Sequence, residues 1–136
     1  MSPAMVTNAP SHPSRLRVFI VENHDDTRNT LSMLMVAMGH EVRSVSCMRE
    51  ALDQLPAADA DVLVSDIGLP DGDGWELMQR LRLEHPLYAI AMSGYGMAED
   101  RERSLAAGFR YHLVKPMDIE KLEALLAEAA RERSAH

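Results

Sequence analysis

Short apolar runs alternate with helical patterns along the whole chain, and this alternation limits the fold more than any other feature. The predicted strands cover residues 16–21, 41–45, 61–65, 87–92 and 111–114, and the second of them has only Val42 and Val45 as apolar residues. Between them, apolar side chains recur at helical spacing. The first such stripe comprises Leu31, Leu34, Met35 and Met38. Strands that alternate with helices predict parallel pairing through right-handed crossovers. We therefore predict one α/β domain, a doubly wound (βα)5 sheet of the flavodoxin-like class with strand order 2-1-3-4-5.

Length and charge narrow the function. A chain of 136 residues, 46% of them hydrophobic, suits one compact domain. We expect a flexible N-terminal tail over 1–14, the domain over 15–131 and a C-terminal tail over 132–136. The formal net charge of -7 argues against nucleic acid as a direct partner. No apolar run is long enough for a membrane span and no signal-peptide pattern opens the chain, so the expected location is the cytoplasm.

Polar side chains follow four of the five predicted strands, at the edge where parallel strands end together. They are Glu22 and Asn23 after the first strand, Asp66 after the third, Ser93 after the fourth and Lys115 after the fifth. Carboxylate and amide oxygens suit Mg²⁺, while a lysine and a hydroxyl hold phosphoryl oxygens. A carboxylate beside a metal can attack phosphorus and form an aspartyl phosphate. Each residue alone has an ordinary explanation as a turn or surface residue, and the prediction depends on their joint position.

These segments resemble the receiver domain of two-component response regulators, over about residues 16–130. The resemblance is carried by VSDIGLPDGDGWEL around Asp66, AMSGYG around Ser93 and HLVKP around Lys115. It implies that Asp66 is the phosphoacceptor of a phosphorelay. The donor would be a phosphohistidine of a sensor histidine kinase or a histidine phosphotransfer protein. Such a module is not an enzyme toward other substrates and catalyses at most its own phosphorylation and dephosphorylation.

The resemblance also implies a Mg²⁺ site beside the phosphoacceptor. Its ligands would be Glu22, Asn23, Asp66 and the main-chain carbonyl of Gly68. Lys115 would pair with the acyl phosphate, and the bond between Lys115 and Pro116 is typically cis in the family. The family usually carries Asp where this chain has Asn23. An amide still offers an oxygen but lacks one negative charge, so we predict weaker Mg²⁺ binding rather than an inactive site.

A conformational switch is the last implication of the resemblance. Ser93 would bond a phosphoryl oxygen on activation, and the packing of His112 and the helix over 98–107 would change. His112 stands where the family usually has Tyr or Phe, and we interpret it as a half-buried ring without a pH role. Gly68 and Tyr95 hold positions that influence how long the phosphoryl group survives. Receivers often pair through the fourth helix, fifth strand and fifth helix, so a homodimer through that face is expected as one arrangement.

Several functions stay open at this point. The chain fits a stand-alone receiver with an unknown downstream target, a receiver from a hybrid histidine kinase, or an interaction module that acts without phosphorylation. A small phosphatase of the haloacid-dehalogenase type is disfavoured, because it carries a second Asp where this chain has Gly68. A flavodoxin-like electron carrier needs a phosphate-cradling loop after the first strand, and the acidic segment 22–26 would repel phosphate.

Overall fold

A parallel five-stranded sheet forms the centre of the molecule. The computed structural model describes residues 15–83, 85–94 and 98–134, so the predicted N-terminal tail lies outside the described residues. The strands are β1 (Arg17–Val21), β2 (Glu41–Val45), β3 (Val62–Asp66), β4 (Tyr88–Ser93) and β5 (Tyr111–Val114). They lie in the order β2-β1-β3-β4-β5, and every neighbouring pair is parallel. The predicted fold class and strand order are confirmed.

Five helices cover the two faces of this sheet. They are α1 (Asp25–Ala37), α2 (Met48–Ala58), α3 (Gly74–Arg80), α4 (Ala98–Ala107) and α5 (Ile119–Ser134). Alternate residues of β1 point to opposite faces, because side chains alternate along a strand. Val18 and Ile20 pack with α1 and α5, whereas Phe19 and Val21 pack with α2 and α3. The three inner strands, β1, β3 and β4, are therefore buried on both faces, which explains their apolar runs, whereas the edge strands β2 and β5 are partly exposed.

Two helix ends differ from what local residue preferences favour. Helix α1 begins at Asp25, so His24 is the N-cap, and Asp25 and Asp26 lie in the first turn. Acidic residues there interact favourably with the helix dipole. Proline commonly ends a helix, but α2 continues through Pro56 to Ala58. Leu55 is buried against the sheet, and its packing holds the last turn in helical form despite the proline.

The last helix differs from the expected domain boundary. Helix α3 ends at Arg80, and α5 continues to Ser134, past the domain end expected at 131. Helix α4 has its predicted bounds. Among the described residues, no helix is long and apolar enough to cross a membrane.

The loop after β3 is shaped by a capped helix start and a close backbone contact. Asp73 caps α3 by accepting a 2.7 Å hydrogen bond from the backbone N–H of Glu76. The Gly74 N–H donates to the carbonyl of Ile67 at 2.8 Å. A Cβ on Gly74 would lie 2.9 Å from the carbonyl oxygen of Asp66. The absence of a side chain at Gly74 therefore lets α3 begin directly against the end of β3.

Candidate functional site

Three charged side chains meet at the carboxyl ends of β1, β3 and β5. Lys115 Nζ donates hydrogen bonds to Glu22 Oε1 at 2.6 Å and to Asp66 Oδ2 at 3.0 Å. Glu22 is fully buried and Asp66 is only 7% exposed. The Lys115–Pro116 bond is cis, as the family resemblance implied. The topology thus brings together three residues that are far apart in sequence, because the three strands are parallel and end at the same edge.

The second oxygen of Glu22 is held by the start of α1. Glu22 Oε2 accepts a hydrogen bond from the His24 backbone N–H at 2.9 Å, and its distance to His24 Nδ1 is 3.2 Å. Arg28 donates to the carbonyl of Glu22 at 3.0 Å. Both carboxylate oxygens of Glu22 are therefore engaged, and the side chain has a single orientation toward Asp66 and Lys115.

The two buried carboxylates have opposite pKa shifts. Burial is the main factor that raises the pKa of Asp66 to about 6, and repulsion by Glu22 adds to it, while Lys115 acts in the other direction. Burial also acts to raise the pKa of Glu22, but hydrogen bonds from Lys115 and His24 outweigh it, so that pKa is lowered. The same carboxylates outweigh the burial of Lys115 and raise its pKa. One ammonium group thus neutralises the pair only in part.

The donor atoms of this group fit a hard divalent cation. Ligand atoms of Glu22, His24 and Asp66 lie within 4.8 Å of one another. The exposed residues Asn23 and Gly68 flank the carboxylates in sequence and offer further oxygens. Mg²⁺ prefers such oxygen ligands, and a cation here would offset the charge repulsion that raises the pKa of Asp66. The residues present therefore fit a magnesium ion held by Glu22 and Asp66, with neutral oxygens completing its shell.

A chain of hydrogen bonds leads from the strand ends to α3. Ser93 Oγ lies 2.7 Å from His112 Nε2, and His112 Nδ1 lies 2.9 Å from Ser104 Oγ. The Trp75 indole Nε1–H donates to the same Ser104 oxygen at 3.0 Å. The guanidinium of Arg103 stacks on the Trp75 ring, 4.0 Å from its centroid. The two predicted switch residues are thus in direct contact, and two unpredicted residues extend the contact.

His112 is a half-buried, hydrogen-bonded ring. Burial lowers its pKa, and Arg101 adds to this effect, while Asp100 opposes it. A lowered pKa favours the neutral imidazole, and the absence of a pH role stays a prediction. Tyr95, the second predicted lifetime residue, lies outside the described residues.

Sequence patterns did not indicate Ser104 or Trp75. Ser104 is fully buried, while Leu105, the one large apolar residue of α4, is 56% exposed. The inward face of α4 carries Asp100, Ser104 and Ala107, which are at helical spacing but lack the large side chains of an apolar stripe. The only indication in the sequence was the weak apolar stripe of α4, because a helix of this kind needs another means of attachment.

Backbone hydrogen bonds link the end of β4 to the residues that follow β3 and β5. The Lys115 N–H donates to the carbonyl of Ser93 at 2.8 Å, and the Ile67 N–H donates to the carbonyl of Met92 at 2.9 Å. These bonds continue the β3–β4 and β4–β5 pairing past the last strand residues. The carbonyl of Ser93 is therefore held in place while its hydroxyl faces His112.

A family model for the response regulator receiver domain matches residues 18–127. The chain belongs to this family. The receiver domain is 34% identical over 122 residues to the response regulator protein PilR of Pseudomonas aeruginosa, covering 89% of this chain and 27% of PilR. It is also 34% identical over 119 residues to an uncharacterized 14.6 kDa protein of Leptolyngbya boryana, covering 85% of this chain and 90% of that protein. The sensor protein EvgS of Escherichia coli K12 is 26% identical over 117 residues, which cover 85% of this chain and 10% of EvgS.

Solved structures have the same fold. The structure of a two-component response regulator from Clostridium difficile has a TM-score of 0.81 and 22% identity, covering 85% of the receiver domain and 96% of that chain. The chemotaxis response regulator CheY4 of Vibrio cholerae has a TM-score of 0.77 and 25% identity, covering 85% and 98% of the two chains. The receiver domain thus spans nearly all of some relatives but only 27% of PilR and 10% of EvgS.

Proposed function

We propose that the protein is the phosphoacceptor of a two-component phosphorelay, with Asp66 as the residue that is phosphorylated. The observation that carries the proposal is the shared ammonium group. Lys115 bonds two buried carboxylates at once, and only one of them, Asp66, stands at the end of the central strand. A lysine held there can follow the negative charge from a carboxylate to a phosphoryl group attached to it.

The proposed reaction is a transfer from phosphohistidine to Asp66. A carboxylate oxygen of Asp66 attacks phosphorus as the P–N bond breaks, and the histidine leaves as imidazole after taking up a proton. The product is an acyl phosphate, a mixed anhydride. Water later attacks its phosphorus, which releases inorganic phosphate and restores the Asp66 carboxylate. Each step conserves charge and requires no oxidant or reductant.

Lys115 and Glu22 have separate roles in this proposal. Lys115 stays paired with the negative charge on Asp66 before and after transfer. Glu22 keeps Lys115 charged and oriented, because its hydrogen bond helps to raise the pKa of the lysine. A Mg²⁺ ion held by Glu22 and Asp66 would supply charge neutralisation for the phosphoryl oxygens. Asn23 and the Gly68 carbonyl would complete its shell with weaker, uncharged oxygens.

Ser93 and His112 form the proposed switch. Phosphorylation adds negative oxygens near the end of β3, beside the end of β4 that carries Ser93. A hydroxyl that turns toward those oxygens exchanges its 2.7 Å contact with His112 for a charge-assisted hydrogen bond, which is the stronger of the two. Helix α4 is attached through the polar contacts of Ser104 and lacks a large buried side chain, so its packing responds to the loss of that contact.

Mass measurement tests the proposal directly. After incubation with acetyl phosphate and Mg²⁺, the intact mass is expected to rise by one phosphoryl group, and the Asp66→Ala variant is expected to show no rise. An unchanged parent mass, or an equal rise in the variant, would overturn the proposal. Omission of Mg²⁺ is expected to slow the reaction strongly, which separates the metal requirement from the identity of the acceptor.

The expected partner is a sensor histidine kinase or a histidine phosphotransfer protein. The proposal includes a cytoplasmic location for the protein. The downstream target is unidentified.

An interaction module that acts without phosphorylation is the second candidate, and the neutral Asn23 in the metal site favours it. The two candidates differ in one result, since only the first gains mass from acetyl phosphate. The exposed Leu105 of α4 and Tyr111 of β5 offer an apolar surface for the expected homodimer.

A further inference from the structure

The hydrogen-bond chain from Ser93 to Trp75 has a direction, and one residue determines it. We propose that Ser104 is a positioning residue that holds His112 in the tautomer with its proton on Nε2, so that His112 donates to Ser93. This inference gives the proposed switch its polarity and rests on that function for its meaning. The tautomer itself, however, is a property of the unphosphorylated protein and is tested there.

Trp75 lies at the far end of the hydrogen-bond chain. An indole Nε1–H is a donor only, so Ser104 Oγ accepts in the 3.0 Å contact with Trp75. A serine hydroxyl has one proton and two lone pairs. That proton needs an acceptor, because the Ser104 side chain is fully buried. Within the described parts of the chain, the hydroxyl has one remaining hydrogen-bond partner, which is His112 Nδ1 at 2.9 Å.

The direction of the next two bonds follows. If Ser104 donates to Nδ1, that nitrogen carries no proton, and a neutral imidazole then has its proton on Nε2. The opposite assignment, with a proton on Nδ1, would make Ser104 accept twice and leave its own buried proton without an acceptor. Such a loss costs about 1–3 kcal/mol. A doubly protonated ring would suffer the same loss, and the lowered pKa of His112 agrees with a neutral ring.

The consequence reaches the phosphorylation site through Ser93. His112 Nε2–H donates in the 2.7 Å contact, so Ser93 Oγ is the acceptor there. The hydroxyl proton of Ser93 is then not used toward His112. A phosphoryl group offers only acceptors, so a serine that must bond to it has to donate. Ser104 on α4 thus sets the hydrogen-bond role of Ser93 at the end of β4.

Nitrogen NMR of the histidine rings tests the proposal. In ¹⁵N-labelled protein at neutral pH, the His112 ring is assigned from the signals that disappear in His112→Gln. We expect a protonated Nε2 and an unprotonated Nδ1 whose resonance is shifted by an accepted hydrogen bond. A proton on Nδ1 in the parent, or a doubly protonated ring, would overturn the proposal without any variant.

Variants of the two neighbouring residues separate positioning from packing. Ser104→Ala is expected to remove the hydrogen-bond shift of Nδ1 and to let the Nδ1–H tautomer appear. Ser104→Thr keeps the hydroxyl and should restore the parent pattern, which also covers the case in which the alanine variant folds poorly. Trp75→Phe removes only the donor to Ser104 and should leave the tautomer unchanged. An identical ring spectrum in parent and Ser104→Ala would contradict the proposal.

The outcome is independent of whether Asp66 is phosphorylated. Failure of acetyl phosphate to add mass would count against the proposed function, while the ring spectra would still decide the role of Ser104. The chain contains one tryptophan, so the indole N–H resonance of Trp75 is unambiguous and reports directly on the contact with Ser104. It is expected to shift in Ser104→Ala and to stay in place in Ser104→Thr. An indole resonance unmoved by Ser104→Ala would overturn the hydrogen-bond chain itself.

Discussion

Lys115 Nζ lies 2.6 Å from Glu22 Oε1, and this contact joins the end of β5 to the end of β1, across the two strands that lie between them in the sheet. The same nitrogen also serves Asp66, so its removal leaves two buried carboxylates without their shared cation. Breaking a buried pair in this way is costly because the remaining charges stay desolvated. The lysine is therefore a structural residue as well as a proposed participant in phosphoryl transfer.

Replacing this lysine is expected to affect both stability and labelling. Lys115→Met should lower the free energy of unfolding by about 1–3 kcal/mol at neutral pH, and by less in mild acid, where Asp66 becomes protonated. It should also abolish labelling by acetyl phosphate within the assay time. Lys121→Met, the same change at an exposed site on α5, serves as the control. Equal urea midpoints for the two variants would contradict a structural role for Lys115.

Neutralising Asp66 is expected to stabilise the protein when Mg²⁺ is absent. The pKa of Asp66 is raised to about 6, so the folded state binds its proton more tightly than the unfolded state does. Stability then decreases as the pH rises from about 4 to about 6, because ionisation costs more in the folded state. Asp66→Asn removes this cost and should gain about 2 kcal/mol at neutral pH, with the gain vanishing below pH ~4.

Denaturant unfolding at several pH values measures this effect. The comparison is made in a buffer with a chelator, since Mg²⁺ would stabilise the parent and reduce the difference. Asp53→Asn, on the exposed face of α2, is the matched control and should have no pH-dependent effect of this kind. A variant that is less stable than the parent at neutral pH would show that Asp66 is fully neutralised by Lys115 alone.

Restoring a second acidic residue is expected to strengthen the metal site. Asn23→Asp adds a negative charge next to Glu22 and should increase Mg²⁺ affinity by about tenfold, the effect of about 1.4 kcal/mol. The rise in melting temperature with Mg²⁺ concentration reports the affinity for parent and variant alike. Asn29→Asp makes the same change at an exposed position of α1 and should leave the affinity unchanged. No gain in Asn23→Asp would argue against a metal ligand at this position.

A methyl group at Gly74 should disturb the end of β3. Its Cβ would lie 2.9 Å from the Asp66 carbonyl oxygen and 3.2 Å from Ile67 Cδ1, so the backbone has to move. We expect Gly74→Ala to cost about 1–3 kcal/mol and to slow phosphorylation of Asp66. Gly68→Ala is the control for stability alone, because a Cβ there meets nothing within 4 Å, while Gly68 flanks the proposed metal site. Urea unfolding compares the two variants, intact mass after acetyl phosphate compares Gly74→Ala with the parent, and equal urea midpoints for the two variants would refute the packing argument.

The proposed homodimer surface can be tested through one exposed leucine. Leu105→Glu places a charge on the exposed face of α4 and should weaken self-association after treatment with acetyl phosphate and Mg²⁺. Met33→Glu makes the comparable change on α1, where the side chain is 72% exposed, and should leave association unchanged. Sedimentation velocity distinguishes the two results. Association that is insensitive to Leu105→Glu would place the interface elsewhere.

Much of the architecture was predictable from the sequence, because buried parallel strands leave a strong pattern. The strand order and the meeting of Glu22, Asp66 and Lys115 at one edge follow from topology alone. The course of α2 through Pro56 was not predictable, since buried Leu55 determines it and a local propensity rule does not include tertiary packing.

The attachment of α4 was the other feature that no sequence pattern predicted. Ser104 is small and polar, so it adds nothing to an apolar periodicity. The neighbouring Leu105 is apolar but exposed, so it indicates the wrong face of the helix as the buried one. Its partners, His112 and Trp75, lie on other elements. A polar contact among three separate elements becomes visible only when the side chains are placed in three dimensions.

The backbone bond from Lys115 to Ser93 bears on how quickly such a protein can respond. Because the Ser93 carbonyl is held by that N–H, its hydroxyl can change partners by rotation about a single side-chain bond while the sheet edge stays intact. Rotamer changes belong to a much faster class of motion than domain rearrangements. The proposed switch can therefore keep pace with the chemistry. In the proposed function, the lifetime of the acyl phosphate on Asp66, and not the motion of the protein, sets the duration of the signal.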